Sequence, residues 1–223
     1  MGDFRIGLIE DDLMMEAMII ERLNRGNGEH TITSEAIDFH DRNLEELIDL
    51  IYSERYDALI IDHKLKANNS HITYEGTDIA LAVEKIVYFF PVFILTSYPV
   101  NAESDNKFSD VNKIYSKDKY VEDLTYEFVD NINLKIINQI LHFRNRIDAA
   151  EQELLVLKEK ENLNDFEKDK VLELDHLLEK SVCGRKATPL SLKSKDEDLQ
   201  KLIKLAESII NESDTGGTDS GIK

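Results

Sequence analysis

Between residues 4 and 117 the chain switches repeatedly between two hydrophobic periods, and this alternation restricts the architectures open to it more than any other feature. Short runs rich in β-branched and aliphatic residues read as strands: FRIGLIE (4–10), HTITSEAID (30–38), YDALIID (56–62), PVFILTS (91–97) and NKIYSK (112–117). Between them LMMEAMIIERLN (13–24), NLEELIDLIYSE (43–54) and GTDIALAVEKIVYF (76–89) carry apolar residues at helical spacing, and NAESDNKFS (101–109) reads as a short polar helix. The unbroken apolar runs ALII and VFIL suit strands covered on both faces. Repetition of this kind predicts an α/β chain, with a parallel sheet and helices on both sides.

Composition narrows the function classes. At 223 residues, 42% hydrophobic and 32% charged, the chain can bury a full core. No apolar run approaches the ~20 residues of a membrane span, and no basic-then-apolar leader opens the sequence, so a cytoplasmic protein without a membrane partner is expected. The single cysteine, Cys183, excludes an internal disulfide framework. The net charge of −18 is uneven: residues 1–131 hold 27 acidic against 12 basic residues, and 132–223 hold 18 against 15. Neither part has the basic excess that contacts with phosphates require, so no nucleic-acid partner is expected.

The residues at the strand ends carry the chemistry. Open parallel sheets bind ligands beyond the carboxyl ends of their strands. There the first strand ends in Glu10, Asp11 and Asp12, the third in Asp62, the fourth in Thr96 and Ser97, and the fifth in Lys117. Crowded carboxylates repel one another and attract protons or a metal. A hard cation such as Mg²⁺ relieves the repulsion while keeping positions open for phosphate oxygens. Phosphoryl transfer to a carboxylate needs an oxygen nucleophile in line and neutralisation of the migrating charge. Asp62 suits the first task, a metal and the Lys117 ammonium the second, and the Thr96 hydroxyl can hydrogen-bond a phosphate oxygen. Each residue alone has a plainer reading, as a cap, a strand exit or a satisfied hydroxyl. Their order along the chain argues for the site.

The motifs LIEDD (8–12), ALIID (58–62), PVFILTS (91–97) and IYSK (114–117) resemble those of the receiver domain of two-component response regulators, over residues 4–131. The resemblance implies a flavodoxin-like five-stranded parallel sheet of order 2-1-3-4-5. It implies that Asp62 accepts phosphate from a histidine kinase or a small phosphodonor. It implies Mg²⁺ ligated by Asp11, Asp62 and the main-chain carbonyl of Lys64, with Glu10 assisting, and phosphoryl contacts from Thr96 and Lys117. Asp12 is then a helix cap. Such a domain is not an enzyme in its own right, beyond assisting its own phosphorylation and dephosphorylation. Three features depart from the pattern: a long loop between Asp62 and Gly76, Ile114 where an aromatic switch residue is usual, and Asp118 where proline is common.

Beyond Tyr120 the sequence reads as helix alone. Ile136, Ile140, Phe143, Ile147, Ala150, Leu154 and Leu157 form a heptad seam, which suits a coiled coil or a helical hairpin that packs on itself or forms a homodimer. Asn164 with Glu167, and Ser194 with Glu197, are capping-box patterns opening further helices, the last over about 195–212. The expected organisation is a receiver over 1–131, a helical output or dimerisation region over 132–212 that engages an unidentified protein partner, and a disordered tail over 213–223. A receiver fold serving only as a phosphorylation-independent scaffold is a second reading. A phosphotransfer role for His142 or His176, each on a helix, is a third.

Overall fold

Strands β1 (Asp3–Ile9), β2 (Thr31–Ala36), β3 (Ala58–Ile61), β4 (Val92–Thr96) and β5 (Ile114–Ser116) form one sheet in the order β2-β1-β3-β4-β5. Every neighbouring pair is parallel. This is the flavodoxin-like receiver fold, seen here in a computed structural model that describes residues 2–26, 29–65, 72–87, 89–100 and 113–193. Helices α1 (Leu13–Leu23), α2 (Leu44–Glu54) and α3 (Gly76–Ile86) connect the strands. The short helix expected over 101–109, the last expected helix over 195–212 and the tail 213–223 lie outside the described residues.

The period of two along each strand divides the apolar residues between two cores. Phe4, Ile6, Leu8, Ile60, Phe93 and Leu95 face α1 and the C-terminal helices. Ile9, Leu59, Ile61, Val92 and Ile94 face α2 and α3. Because β3 is covered on both sides, ALII has no polar position to alternate with. Truncating a residue such as Ile60 to Ala should cost about 2–5 kcal/mol.

Local chemistry starts each helix. The Asp12 carboxylate accepts from the Met14 and Met15 amides and caps α1, as its position predicts. Asn43 and Glu46 form a reciprocal capping box on α2.

After β5 the chain forms α4 (Lys117–Glu122), α5 (Glu127–Lys158) and α6 (Asp165–Cys183). The helix expected from about Val121 begins instead at Glu127. The cause is Asp123, whose carboxylate accepts from the Phe128 amide at 2.8 Å and the Val129 amide at 3.2 Å and so nucleates a new first turn. Tyr126, at φ 61°, supplies the turn before it. From there α5 runs unbroken through the 131/132 position and along the heptad seam.

That seam is covered within the chain. Ile136 and Ile140 lie in the α1-side core, Phe143 packs beside Phe90, and Ala150, Leu154 and Leu157 pack against Leu174 of α6. The Asn164–Glu167 capping box opens α6 as expected. A 3₁₀ turn (Gly184–Lys186) then returns the chain to α2, where Arg185 pairs with Glu45 at 3.0 Å. Arg144 of α5 pairs with Asp57 at 2.6 Å. No helix among the described residues is long and apolar enough to cross a membrane.

Candidate functional site

The parallel register sets the strand ends level. Ile9 pairs with Ile61 and Ile61 with Ile94, while Thr96 pairs with Ser116 one residue before Lys117. The residues that follow, distant in sequence, therefore converge at one edge of the sheet. Asp62 and Glu10 are both buried, and so is Lys117, the first residue of α4.

The Lys117 ammonium donates to both oxygens of Glu10, at 3.0 and 2.9 Å, and to Oδ2 of Asp62 at 3.0 Å. Asp62 Oδ1 is buried without a hydrogen-bond partner among the described residues. Ligand oxygens of Glu10, Asp11 and Asp62 lie within 4.8 Å of one another, with Asp11 the half-buried member facing solvent.

Two acids and one cation in a dry space do not balance. Burial, with the Asp62 charge as the second cause, pushes the Glu10 carboxyl up to about 7 against the pull of Lys117. Burial alone would lower the Lys117 ammonium, but Asp62 and Glu10 outweigh it and hold it above its ordinary value. A buried excess of negative charge with one carboxylate oxygen lacking a donor suits a small oxygen-seeking cation, and the donor set fits Mg²⁺.

Sequence reasoning gives Glu10 an indirect part, whereas here it is the closest partner of Lys117. Thr96 is fully buried at the end of β4, and its hydroxyl oxygen accepts from the Tyr98 amide at 3.2 Å. The Lys64 ammonium lies 4.1 Å from the centre of the Tyr98 ring. Ile114 is buried on the α3 side of β5, while Tyr115 lies on the other face against Phe93. His142 is exposed on α5, and His176 is half-buried on α6.

Two residues escape a reading of single motifs. Gly76 donates its amide to the His63 carbonyl at 2.9 Å, and a Cβ on it would collide with the Asp62 carbonyl oxygen. A glycine directly opening a helix, in GTDIAL, was the available signal. Asp118 accepts from the Ser97 hydroxyl at 2.5 Å, tying the β4 exit to the helix that carries Lys117. No pattern in the sequence announces that pair.

No family model and no curated protein matches this chain. Among solved structures it is similar to the apo receiver domain of nitrogen regulatory protein C, at 16% identity and a TM-score of 0.39, over 63% of this chain and 97% of that one.

Proposed function

We propose that this protein is a response-regulator-type receiver that is phosphorylated on Asp62 and signals through its C-terminal helices. The observation that carries the reading is the asymmetry of Asp62: Oδ2 is held by Lys117 while Oδ1 is buried without a donor, beside two further acids. A carboxylate restrained at one oxygen presents the other as a nucleophile of defined direction.

Asp62 Oδ1 attacks phosphorus, the bond from phosphorus to the donor's leaving atom breaks, and an acyl phosphate remains. Lys117 stays in reach to offset the added charge. The Thr96 hydroxyl, which accepts from the Tyr98 amide, still has its own proton to donate to a phosphoryl oxygen. Asp11, Asp62 and the main-chain carbonyl of Lys64 would hold Mg²⁺, with Glu10 beside them, and the ion would neutralise charge on the phosphoryl oxygens. The donor is a histidine kinase or a small acyl or amidophosphate. In this reading 131/132 marks a division of labour: residues up to it form the receiver, and those from 132 to 212 present a protein-binding surface to the output partner.

The test is intact-mass analysis after incubation with acetyl phosphate and Mg²⁺. One added phosphoryl group is expected on the wild-type chain and none on Asp62→Asn. No adduct on the wild type, with either acetyl phosphate or beryllofluoride, overturns the reading and leaves the fold as a scaffold for the helices.

A further inference from the structure

Where the helical hairpin returns to the sheet domain, the two do not close completely. A cavity of about 160 Å³ remains, lined by Ile51 and Tyr52 of α2, Tyr56, Phe90, Phe143 of α5 and Val182 of α6. An apolar cavity of about 150 Å³ is large enough to hold benzene, so the space takes one aromatic ring. The walls suit a ring: Phe90 stands edge-on to Phe143 at 5.5 Å and tilted to Tyr52 at 6.4 Å.

The polar side chains at this cavity are committed elsewhere, with one exception. The Tyr52 hydroxyl donates to the Val83 carbonyl, and the Tyr56 hydroxyl bonds Glu35. The Ser181 hydroxyl donates to the Leu178 carbonyl at 2.7 Å. Arg55 also lines the cavity, is exposed, and has no hydrogen-bond or ion-pair partner among the described residues. In a chain of net charge −18, an Arg without a carboxylate beside an aromatic cavity is a specific feature. Its backbone, at φ 56°, closes α2 and sets the side chain at the cavity rim.

We propose that this cavity binds a small aromatic carboxylate, with its ring among Tyr52, Phe90 and Phe143 and its anionic group on the Arg55 guanidinium. Because Ile51 and Tyr52 belong to α2 while Phe143 and Val182 belong to the hairpin, an occupant bridges the two and holds the hairpin down. The site lies on the α2 side of the molecule and uses none of the residues around Asp62, so it stands whether or not Asp62 is phosphorylated.

The test uses the full chain, with benzoate and toluene as probes and the Ile51 and Val182 methyl resonances as the readout. Benzoate is expected to shift both methyls saturably. Arg55→Gln should weaken benzoate roughly tenfold while leaving toluene unchanged, and Arg55→Lys should restore part of the loss. Phe143→Trp, which fills the space, should abolish both. If Phe143→Trp disturbs the hairpin itself, the Arg55 pair decides alone, since that residue is exposed. Shifts that rise linearly without saturation, or an equal loss of benzoate and toluene in Arg55→Gln, overturn the proposal.

Discussion

The main chain of Gly76 lies directly against the carbonyl oxygen of Asp62, with no room for a side chain between them. The first turn of α3 is thereby pressed onto the peptide that positions the central carboxylate. Gly76→Ala must move either the helix or the strand end. We expect a loss of about 1–3 kcal/mol in urea denaturation, the usual cost of overpacking. Under the proposed function, phosphorylation of Asp62 by acetyl phosphate should also slow in the fraction that remains folded.

Glu10 makes stability depend on pH. Its folded-state value, about 7, is raised above the ordinary 4.5, so the folded state holds the proton more tightly than the unfolded chain. The resulting stabilisation is complete below pH 4.5 and is lost as the pH rises through 7. Denaturation in the presence of a chelator should show wild type losing up to about 3 kcal/mol between pH 5 and pH 8 relative to Glu10→Gln. A constant difference between the two proteins across that range contradicts the assignment.

Among the described residues, Lys117 is the side chain that donates to both buried acids. Lys117→Ala leaves two carboxylates facing each other in a dry space, at a cost of about 3–5 kcal/mol above pH 7. Mg²⁺ should recover part of this, so the melting temperature of the variant should rise more steeply with Mg²⁺ than that of wild type. Equal slopes would show that the acids do not share a cation.

Tyr120 is completely buried, and its hydroxyl donates to Asn133 Oδ1 at 2.7 Å. The Asn133 amide in turn donates to the Arg22 and Gly26 carbonyls, at 3.0 and 3.3 Å. This network joins the helix that begins at Lys117 to α5 and α1. Tyr120→Phe leaves Asn133 Oδ1 without that donor and should cost about 1–3 kcal/mol by chemical denaturation. Asn133→Ala, which also strands the two carbonyls, should cost more.

Gly184 holds φ 57° and sits where a Cβ would come 2.6 Å from Tyr52 Cγ. Gly184→Ala should lift the hairpin from α2. Hydrogen exchange should accelerate in the last turns of α6 and the exposed face of α2, with the amides of β1 and β3 unchanged. Unaltered protection throughout would mean that the contact contributes nothing to docking.

The parallel sheet was readable because each strand kept its own hydrophobic run, its order came only through the family resemblance, and the acid cluster was readable because Glu10, Asp11, Asp62 and Lys117 stand at strand ends. The heptad through Leu157 announced a buried seam but not its cover. A spacing of that kind describes one face of a helix, and the same face can meet a second copy, a sheet or its own hairpin. The start of α5 was misplaced because the capping strength of Asp123 depends on a Tyr126 turn that has no signature in residue type. Gly76 and the Ser97–Asp118 bond went unread for a related reason. Both are contacts between segments, set by how closely two backbones approach, which propensity along one segment does not record.

No glycine or proline interrupts the sequence from Glu127 to Lys158, so α5 extends about 48 Å as a single piece. Its base is embedded on the α1 side of the sheet, while the return leg, α6, stands on α2 across the other side. The hairpin therefore behaves like a pair of dividers with one point in each layer. A slip of one layer past the other would displace the distal turn between Glu159 and Asn164 farther than either foot.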